Sequence, residues 1–183
     1  KSLRGISIPQ NGDILMYTVS PGEGDATLVI ENIRNNSKIE VPRGTRAQLS
    51  QDGKKVVAVI KPLFSQTRDA KIKKAKKDDM PKDTLAIVDI ATGKIEKFAN
   101  YKSHNTPDKL SSYVAFELTP AKEKPAPKGK DAKDAKKPEK KAPVKELYVM
   151  NIATGAIDTI KNVASYKFNK EGDLMAYVVE PEK

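Results

Sequence analysis

Short apolar runs, five or six residues long and rich in β-branched side chains, recur along this chain and alternate with polar turns. VVAVI at 56–60, LAIVDI at 85–90 and LYVMNI at 147–152 are examples. Such runs are too short and too β-branched for helices. Gly, Asn and Asp occupy the intervening turns, where a backbone with positive φ is tolerated. The pattern therefore predicts an all-β protein built from hairpins.

One phrase occurs three times. LAIVDIATGKIEKF at 85–98 and LYVMNIATGAIDTI at 147–160 share Leu, Ile, Ala-Thr-Gly and a second Ile in register. A looser copy, LVIENIRNNSKIEV at 28–41, has a turn that is one residue longer. Each copy is an apolar run, a polar turn and then alternating apolar residues. We interpret the three copies as β-hairpins.

A second phrase alternates with the first. It reads NGDILMYTVSP at 11–21, DGKKVVAVIKP at 52–62 and EGDLMAYVVEP at 171–181, and in each copy the final Pro stands nine positions after the Gly. A degraded copy runs from Ser111 to Pro120. The phrase indicates a turn followed by a strand, which ends at a proline because proline cannot donate to a sheet.

The two phrases together form a unit of 41 residues, with insertions of 16 and 20 residues before the second and third hairpins. Four strands in a period of about 40 residues are typical of a β-propeller blade. We therefore predict a partial β-propeller of three four-stranded antiparallel blades and the first half of a fourth. The predicted domain covers 1–183, with blade 1 at about 3–45, blade 2 at about 46–103, blade 3 at about 104–162 and a half blade at 163–183.

The net charge of +10 lies entirely in the two insertions. Residues 66–82 carry +4 and residues 121–145 carry +6, so the repeats are formally neutral. The Lys- and Pro-rich 121–145 insertion has no aromatic residue, which predicts a disordered surface loop and argues against nucleic-acid binding. In the 63–82 insertion, Thr67–Lys77 favours a short helix whose Ile72, with Ala70 or Ala75, faces the blade. A solvated charge run is the alternative.

Candidates for catalysis are weak. Ser7 in GISIP resembles a nucleophile turn, but Pro9 replaces the last Gly and Ser7 falls on a predicted strand. His104 is the single histidine and lies in a polar stretch, which indicates a solvated surface residue. Asp78 and Asp79 lack a third ligand at useful spacing. Cysteine is absent, and no phosphate or dinucleotide motif occurs. We predict no catalytic, cofactor-binding or metal-binding residue in this chain.

The order of these phrases resembles the N-terminal propeller of prolyl oligopeptidase family serine peptidases, and the resemblance covers the whole chain. It is closest to the large secreted or periplasmic bacterial members, some of them dipeptidyl aminopeptidases. The blade phrases are shared by many propellers. The most particular segment is RDAKIKKAKKDDMPKDTLAIVDIATG at 68–93.

The resemblance implies that the chain is the propeller of a larger peptidase, with a C-terminal α/β-hydrolase domain that carries the Ser, Asp and His. The propeller would act as scaffold and gate and admit short peptides. Family propellers have seven or eight blades, so exposed blade edges would favour self-association. No adjacent Glu-Glu pair occurs, which leaves dipeptidyl specificity open. The alternative is a non-enzymatic TolB-like propeller for protein–protein interaction in the cell envelope. No stretch is long and apolar enough for a membrane span.

Overall fold

The computed structural model describes residues 1–8, 12–107, 112–120 and 145–181. They contain one α-helix, α1, at Phe64–Ile72, and thirteen strands. The strands are β1 (Ser2–Ser7), β2 (Ile14–Ser20), β3 (Thr27–Asn32), β4 (Ser37–Pro42), β5 (Gly44–Leu49), β6 (Lys55–Ile60), β7 (Asp83–Asp89), β8 (Ile95–Asn105), β9 (Tyr113–Leu118), β10 (Glu146–Asn151), β11 (Ile157–Lys161), β12 (Val163–Phe168) and β13 (Met175–Val179).

Every strand pairs antiparallel with its neighbour in the sequence within three sheets, β1–β4, β5–β11 and β12–β13. The middle sheet has seven strands because the long β8 is shared: its first part pairs with β7 and its last part with β9. Tyr101 marks the change, aligned with Asp83 on one side and Leu118 on the other. The seven strands are thus two four-stranded blades joined through β8. The prediction of three blades and half of a fourth is confirmed, and the residue limits of each blade stay a prediction.

The core lies between blades rather than inside one. On β7, Leu85 and Ile87 pack towards blade 3, in a cluster that includes Phe116. Their neighbours Ala86 and Val88 point the other way and pack against blade 1. Because successive side chains of a strand point to opposite faces, a strand buried on both faces is an unbroken apolar run. This is why LAIVDI repeats: each blade needs a neighbour on either side.

The two ends of the array leave apolar side chains in solvent. A third, smaller cluster joins blade 3 to the β12–β13 hairpin through Ala115, Leu147, Val163 and Phe168. Beyond it the side chains of β13 are largely exposed. The exposed apolar residues of the first and last strands and their flanks are Leu3, Ile6, Ile8, Leu174, Tyr177, Val178 and Val179.

One left-handed residue links each blade to the next. Arg43, Asn100 and Asn162 have φ of 63°, 58° and 58°, and each stands fifteen residues after the first leucine of its hairpin phrase. Arg43 donates its backbone N–H to Ala26 O at 2.7 Å and accepts the Lys61 N–H at 2.9 Å. Asn162 makes the corresponding two bonds. Each residue thereby ties its own blade to the following one at their boundary.

The hairpin turns are held by the side chain that ends the third strand of each blade. Asp89 Oδ1 accepts the backbone N–H of Thr92 at 2.8 Å, and Asn32 and Asn151 act in the same way in the neighbouring blades. This is the local Asx hydrogen bond that favours turns. Asp89 differs from the two asparagines because it also accepts a bond from Lys55 Nζ at 2.5 Å.

Replacing Asp89 with asparagine is expected to keep the turn and remove an acid-sensitive contribution to stability. The hydrogen bond from Lys55, then that from the Thr92 N–H, lowers the pKa of Asp89 from 3.8 to about 2. Because the folded-state pKa is depressed, this stabilisation is present above the usual pKa and is lost as the pH falls through about 2. We expect a loss of up to about 1 kcal/mol at neutral pH for this partly exposed pair.

Urea unfolding, followed by circular dichroism from neutral pH down to about pH 2, tests this. The asparagine variant should show a flatter dependence than the parent below about pH 4. Identical pH profiles for the two proteins would contradict the assignment.

The helix of the first insertion begins earlier than predicted. α1 starts at Phe64, three residues before Thr67, because Asp25 from the β2–β3 connection accepts the Phe64 backbone N–H at 2.8 Å. A carboxylate at this end also favours the helix dipole. The alternative of a charge run without a helix is wrong for this segment. A short 3₁₀ helix follows at Lys77–Asp79.

The prediction that Ile72 faces the blade is also wrong. Its side chain is 68% exposed, whereas Ala70 and Ala75 are half-buried, as expected. Ile72 is the last residue of α1, so its side chain lies at the C-terminal end of the helix and in solvent. Both insertions interrupt the same connection, between the second and third strands of a blade. Of the predicted loop at 121–145, only Lys145 is among the described residues. In the described ranges no helix is long and apolar enough to cross a membrane.

Candidate functional site

The rejected candidates lie in ordinary structural positions. Ser7 is exposed on β1 and aligned with Met16, so it is part of a sheet and not of a strand-to-helix turn. Asp78 and Asp79 are exposed in the short 3₁₀ helix. Over the described ranges, no group of three or more His, Asp or Glu side chains is arranged to hold a metal ion.

His104 is the exception, because it is not the solvated surface residue that the sequence suggested. It lies on β8 and is half-buried. Its Nδ1 is 2.7 Å from the hydroxyl of Tyr101, and the two ring centroids are 5.5 Å apart. Burial lowers the pKa of His104, and the positive charge of Arg46 lowers it further. The neutral imidazole is therefore favoured at physiological pH.

The repeat explains why Arg46 and His104 meet. The first strand of each blade has a register irregularity in its pairing with the second strand. The residue seven positions before the turn residue of the second phrase (Gly12, Gly53, Ser111 or Gly172) lies at or beside this irregularity. Gly5, Arg46, His104 and Ser165 occupy this position in the four blades. A β-bulge re-aims the side chains next to it. Arg46 and His104 are thus equivalent residues of adjacent blades.

Arg46 is held in an unfavourable conformation. Its φ of 53° is in the left-handed region within a strand, and Gly5 has φ of 59° at the same position in blade 1. A side chain in this region costs about 1–2 kcal/mol relative to glycine. The Arg46 side chain is exposed and makes no ion pair with any described carboxylate. Strain of this kind is concentrated at functional sites.

Two tyrosines complete the group. Tyr101 is only 8% exposed; its burial raises the pKa of its hydroxyl, and Arg46 opposes that rise. Tyr166 on β12 is half-buried, and burial first, then the charge of Glu117, raises its pKa to about 12. Both phenols are therefore neutral donors at physiological pH. We call Arg46, Tyr101, His104 and Tyr166 the polar cluster.

A side-chain bridge fixes the first strands of blades 2 and 3 relative to each other. Gln48 on β5 donates to the Pro107 carbonyl at 3.2 Å and accepts the Thr106 hydroxyl proton at 2.5 Å. Both partners follow directly after β8. Because Gln48 is two residues from Arg46, and Thr106 is two residues from His104, the bridge holds the two halves of the polar cluster in place.

A groove of about 660 Å³ adjoins the cluster at Tyr101, between the first insertion and blade 3. It contains charges of both signs, including Lys77, Lys102, Asp83 and Glu117. Lys102 pairs with Glu117 at 2.5 Å, and Asp83 pairs with Lys61 at 2.6 Å. The lysines of the groove are therefore partly neutralised, which does not favour a polyanion surface.

Sequence reasoning missed Arg46 altogether. The signal was the interval of seven residues to the turn glycine, which places Gly5, Arg46, His104 and Ser165 in register. Arg, His and Ser are ordinary residue types in a strand, and only Gly is not. A charged residue at a position where blade 1 has glycine was the available indication.

Known proteins share the fold. No protein-family model and no curated protein matches the sequence. Among solved structures, the chain is similar to the β-propeller domain of the Trilobed protease from Pyrococcus furiosus, described as an open velcro topology, with a TM-score of 0.50 and 15% identity over 92% of this chain and 46% of that one. It is similar to the tricorn protease (TM-score 0.50, 13% identity, 96% and 15% covered). An acylaminoacyl peptidase in complex with Z-Gly-Gly-Phe-chloromethyl ketone also matches (TM-score 0.49, 14% identity, 99% and 28% covered).

The similarity to the propeller domain of the Trilobed protease confirms the β-propeller fold that the 41-residue unit predicts. At 15% identity it establishes the fold alone. By their names these neighbours are proteases or peptidases, in agreement with the resemblance of the sequence phrases. This chain spans less than half the length of each of these solved chains.

Proposed function

We propose that this chain is the N-terminal propeller portion of a prolyl oligopeptidase family serine peptidase. Its role is to serve as a scaffold and to gate the access of short peptides. The catalytic Ser, Asp and His belong to an α/β-hydrolase domain of the same parent chain, and this propeller contributes none of them. The observation that carries the proposal is the blade array, which matches the propeller domain of the Trilobed protease at a TM-score of 0.50.

The blade array supports a scaffold role in a physical way. Adjacent blades pack together through apolar clusters whose members are almost fully buried, such as Val57, Leu85 and Phe116. Such a body is rigid enough to hold a second domain in a fixed position. The first strands of blades 2 and 3 also carry polar residues, among them the exposed Arg46 and the half-buried His104.

The parent gene and its product test the proposal. We expect the reading frame after Lys183 to encode a G-x-S-x-G turn followed by Asp and His. The full-length protein should hydrolyse peptidyl-p-nitroanilides and react with a fluorophosphonate probe at that serine, whereas residues 1–183 alone should do neither. A parent without this motif, or labelling of Ser7, would overturn the proposal.

The TolB-like alternative has no support among these structural neighbours, and a parent chain without a hydrolase domain is the result that would favour it. Two narrower features also belong to the proposal. Location in the periplasm or outside the cell follows from the sequence resemblance, and fractionation of the source cells tests it. Dipeptidyl specificity would appear as release of dipeptides, rather than single residues, from unblocked substrates.

Self-association through the open ends is a further part of the proposal. The apolar side chains of β1 and β13, such as Leu3, Ile6 and Val178, are about 60% exposed. Exposed apolar surface at a strand edge promotes pairing between chains. Residues 1–183 should therefore show concentration-dependent oligomers in sedimentation velocity. A monomer at all concentrations would contradict this.

A further inference from the structure

We propose that Arg46, Tyr101 and His104 form a binding site for one carboxylate group, and that the C-terminal carboxylate of a short peptide is its natural occupant. The carboxylate site rests on residues of this chain alone. Only the choice of a peptide rests on the proposed function.

The guanidinium of Arg46 is the anchor. It is exposed and makes no ion pair within the described ranges, and its backbone is held at φ of 53°. Glycine occupies the equivalent position in blade 1, so the fold does not require a side chain there. One contact of the Arg46 side chain is with the Tyr101 hydroxyl, which leaves the other guanidinium N–H groups for a ligand. The planar fork of arginine matches the two oxygens of a carboxylate.

His104 supplies a neutral donor beside this charge, and Tyr101 orients it. The Tyr101 hydroxyl lies 2.7 Å from Nδ1 of the ring, and the proposed site takes the tautomer in which this hydroxyl donates to Nδ1. The neutral ring then carries its proton on Nε2, where it can donate to an anion. One positive charge with one neutral donor suits a single carboxylate better than a phosphate dianion, which would be neutralised only in part.

The surrounding charges do not compete for Arg46. Asp83 is paired with Lys61 and Glu117 with Lys102, and Tyr166 is neutral. Asp83 on β7 and Glu117 on β9 are the carboxylates whose charges act on the tyrosines of the polar cluster. The Gln48 bridge holds β5 and the end of β8 together, so the site exists before a ligand arrives. Preorganisation of this kind reduces the cost of binding.

His104 is the only histidine, so its ring protons report on the site in a one-dimensional NMR spectrum. We expect acetate and the tripeptide Gly-Ala-Ala to shift these signals and to raise the pKa of His104, because a bound anion offsets the charge of Arg46. The C-terminal amide of the same tripeptide should leave both unchanged. Inorganic phosphate at the same concentration should shift the signals less than acetate.

Comparing acetate with the tripeptide distinguishes a site for any carboxylate from a site for a peptide C-terminus. Half-saturation by the tripeptide at a concentration at least about tenfold lower than acetate, a difference of about 1.4 kcal/mol, supports the peptide. If acetate and the tripeptide reach half-saturation at the same concentration, the peptide is overturned as the natural occupant and a simple carboxylate site remains. An equal response to the amide, or no response to any probe, overturns the site itself.

Variants provide the control. Arg46→Gln should abolish the shifts and raise the pKa of His104 in the free protein, since it removes the nearby charge. Arg46→Gly should do the same and also raise the thermal midpoint, because it relieves the left-handed strain.

Arg43→Gln is the matched control: Arg43 is also a left-handed arginine, but its guanidinium bonds the Lys61 carbonyl. Binding that survives Arg46→Gln, or is lost in Arg43→Gln, would overturn the assignment. Because binding is measured on this chain, a parent without peptidase activity would leave the result intact.

Discussion

Replacing Phe116 with alanine is expected to lower the free energy of unfolding by about 3–5 kcal/mol. Phe116 is completely buried on β9, between blades 2 and 3. Its ring lies 4.9 Å from that of Phe98 and stacks on Tyr148 with centroids 5.5 Å apart. The substitution removes this apolar surface from the core, leaves a cavity and breaks two aromatic contacts. The loss should be concentrated at the boundary between the two blades.

Urea unfolding followed by circular dichroism measures this loss, and native-state hydrogen exchange locates it. Phe64→Ala is the matched control, because Phe64 is 43% exposed on α1 and lies outside the clusters between blades. The control should cost less than about 1 kcal/mol. Equal losses for the two variants would mean that blade packing is not the main source of stability.

Gly44→Val is expected to lower the free energy of unfolding by about 3 kcal/mol or slightly more, which is the second large effect. Gly44 is buried at the start of β5, directly after the left-handed Arg43. A Cβ atom on Gly44 would stand 2.7 Å from the Leu28 Cβ and 3.0 Å from the Val41 carbonyl oxygen. Neither atom can move without shifting a strand of blade 1, so the first two blades would be forced apart.

Gly22→Val is the matched control for this substitution. A Cβ on Gly22 meets no atom within 4 Å, and its φ is not in the left-handed region. Its effect should be within about 0.5 kcal/mol of the parent, as for other surface positions. Comparable urea midpoints for Gly44→Val and Gly22→Val would show that blades 1 and 2 are not in close contact at this point.

The periodic part of the fold could be predicted because it is encoded locally. The runs beginning at Leu28, Leu85 and Leu147 carry their own strand preference, and their spacing sets the pairing of strands with their neighbours. Antiparallel hairpins need only nearby residues to define their register. A chain that repeats its strands in one order therefore reveals the blade directly.

Features fixed by distant residues could not be predicted in this way. The start of α1 depends on Asp25, which lies 39 residues before Phe64. The environment of His104 depends on Arg46 in the previous blade and on a register irregularity that no local pattern announced. The close packing of Gly44 depends on Leu28. Each of these features depends on a contact between residues far apart in the sequence. Local sequence patterns do not reveal such contacts.

The placement of both insertions in one connection has a practical consequence. The β6–β7 connection carries 16 extra residues and the β9–β10 connection carries 20, yet β6 still pairs with β7, and β9 with β10, as in the unmodified blade. This rim is therefore a natural grafting position, where foreign epitopes, tags or affinity loops can be spliced without retuning the strands. In blade 1 the corresponding segment is short and contains Asp25, so a graft there should begin before Gly24 to spare the helix cap.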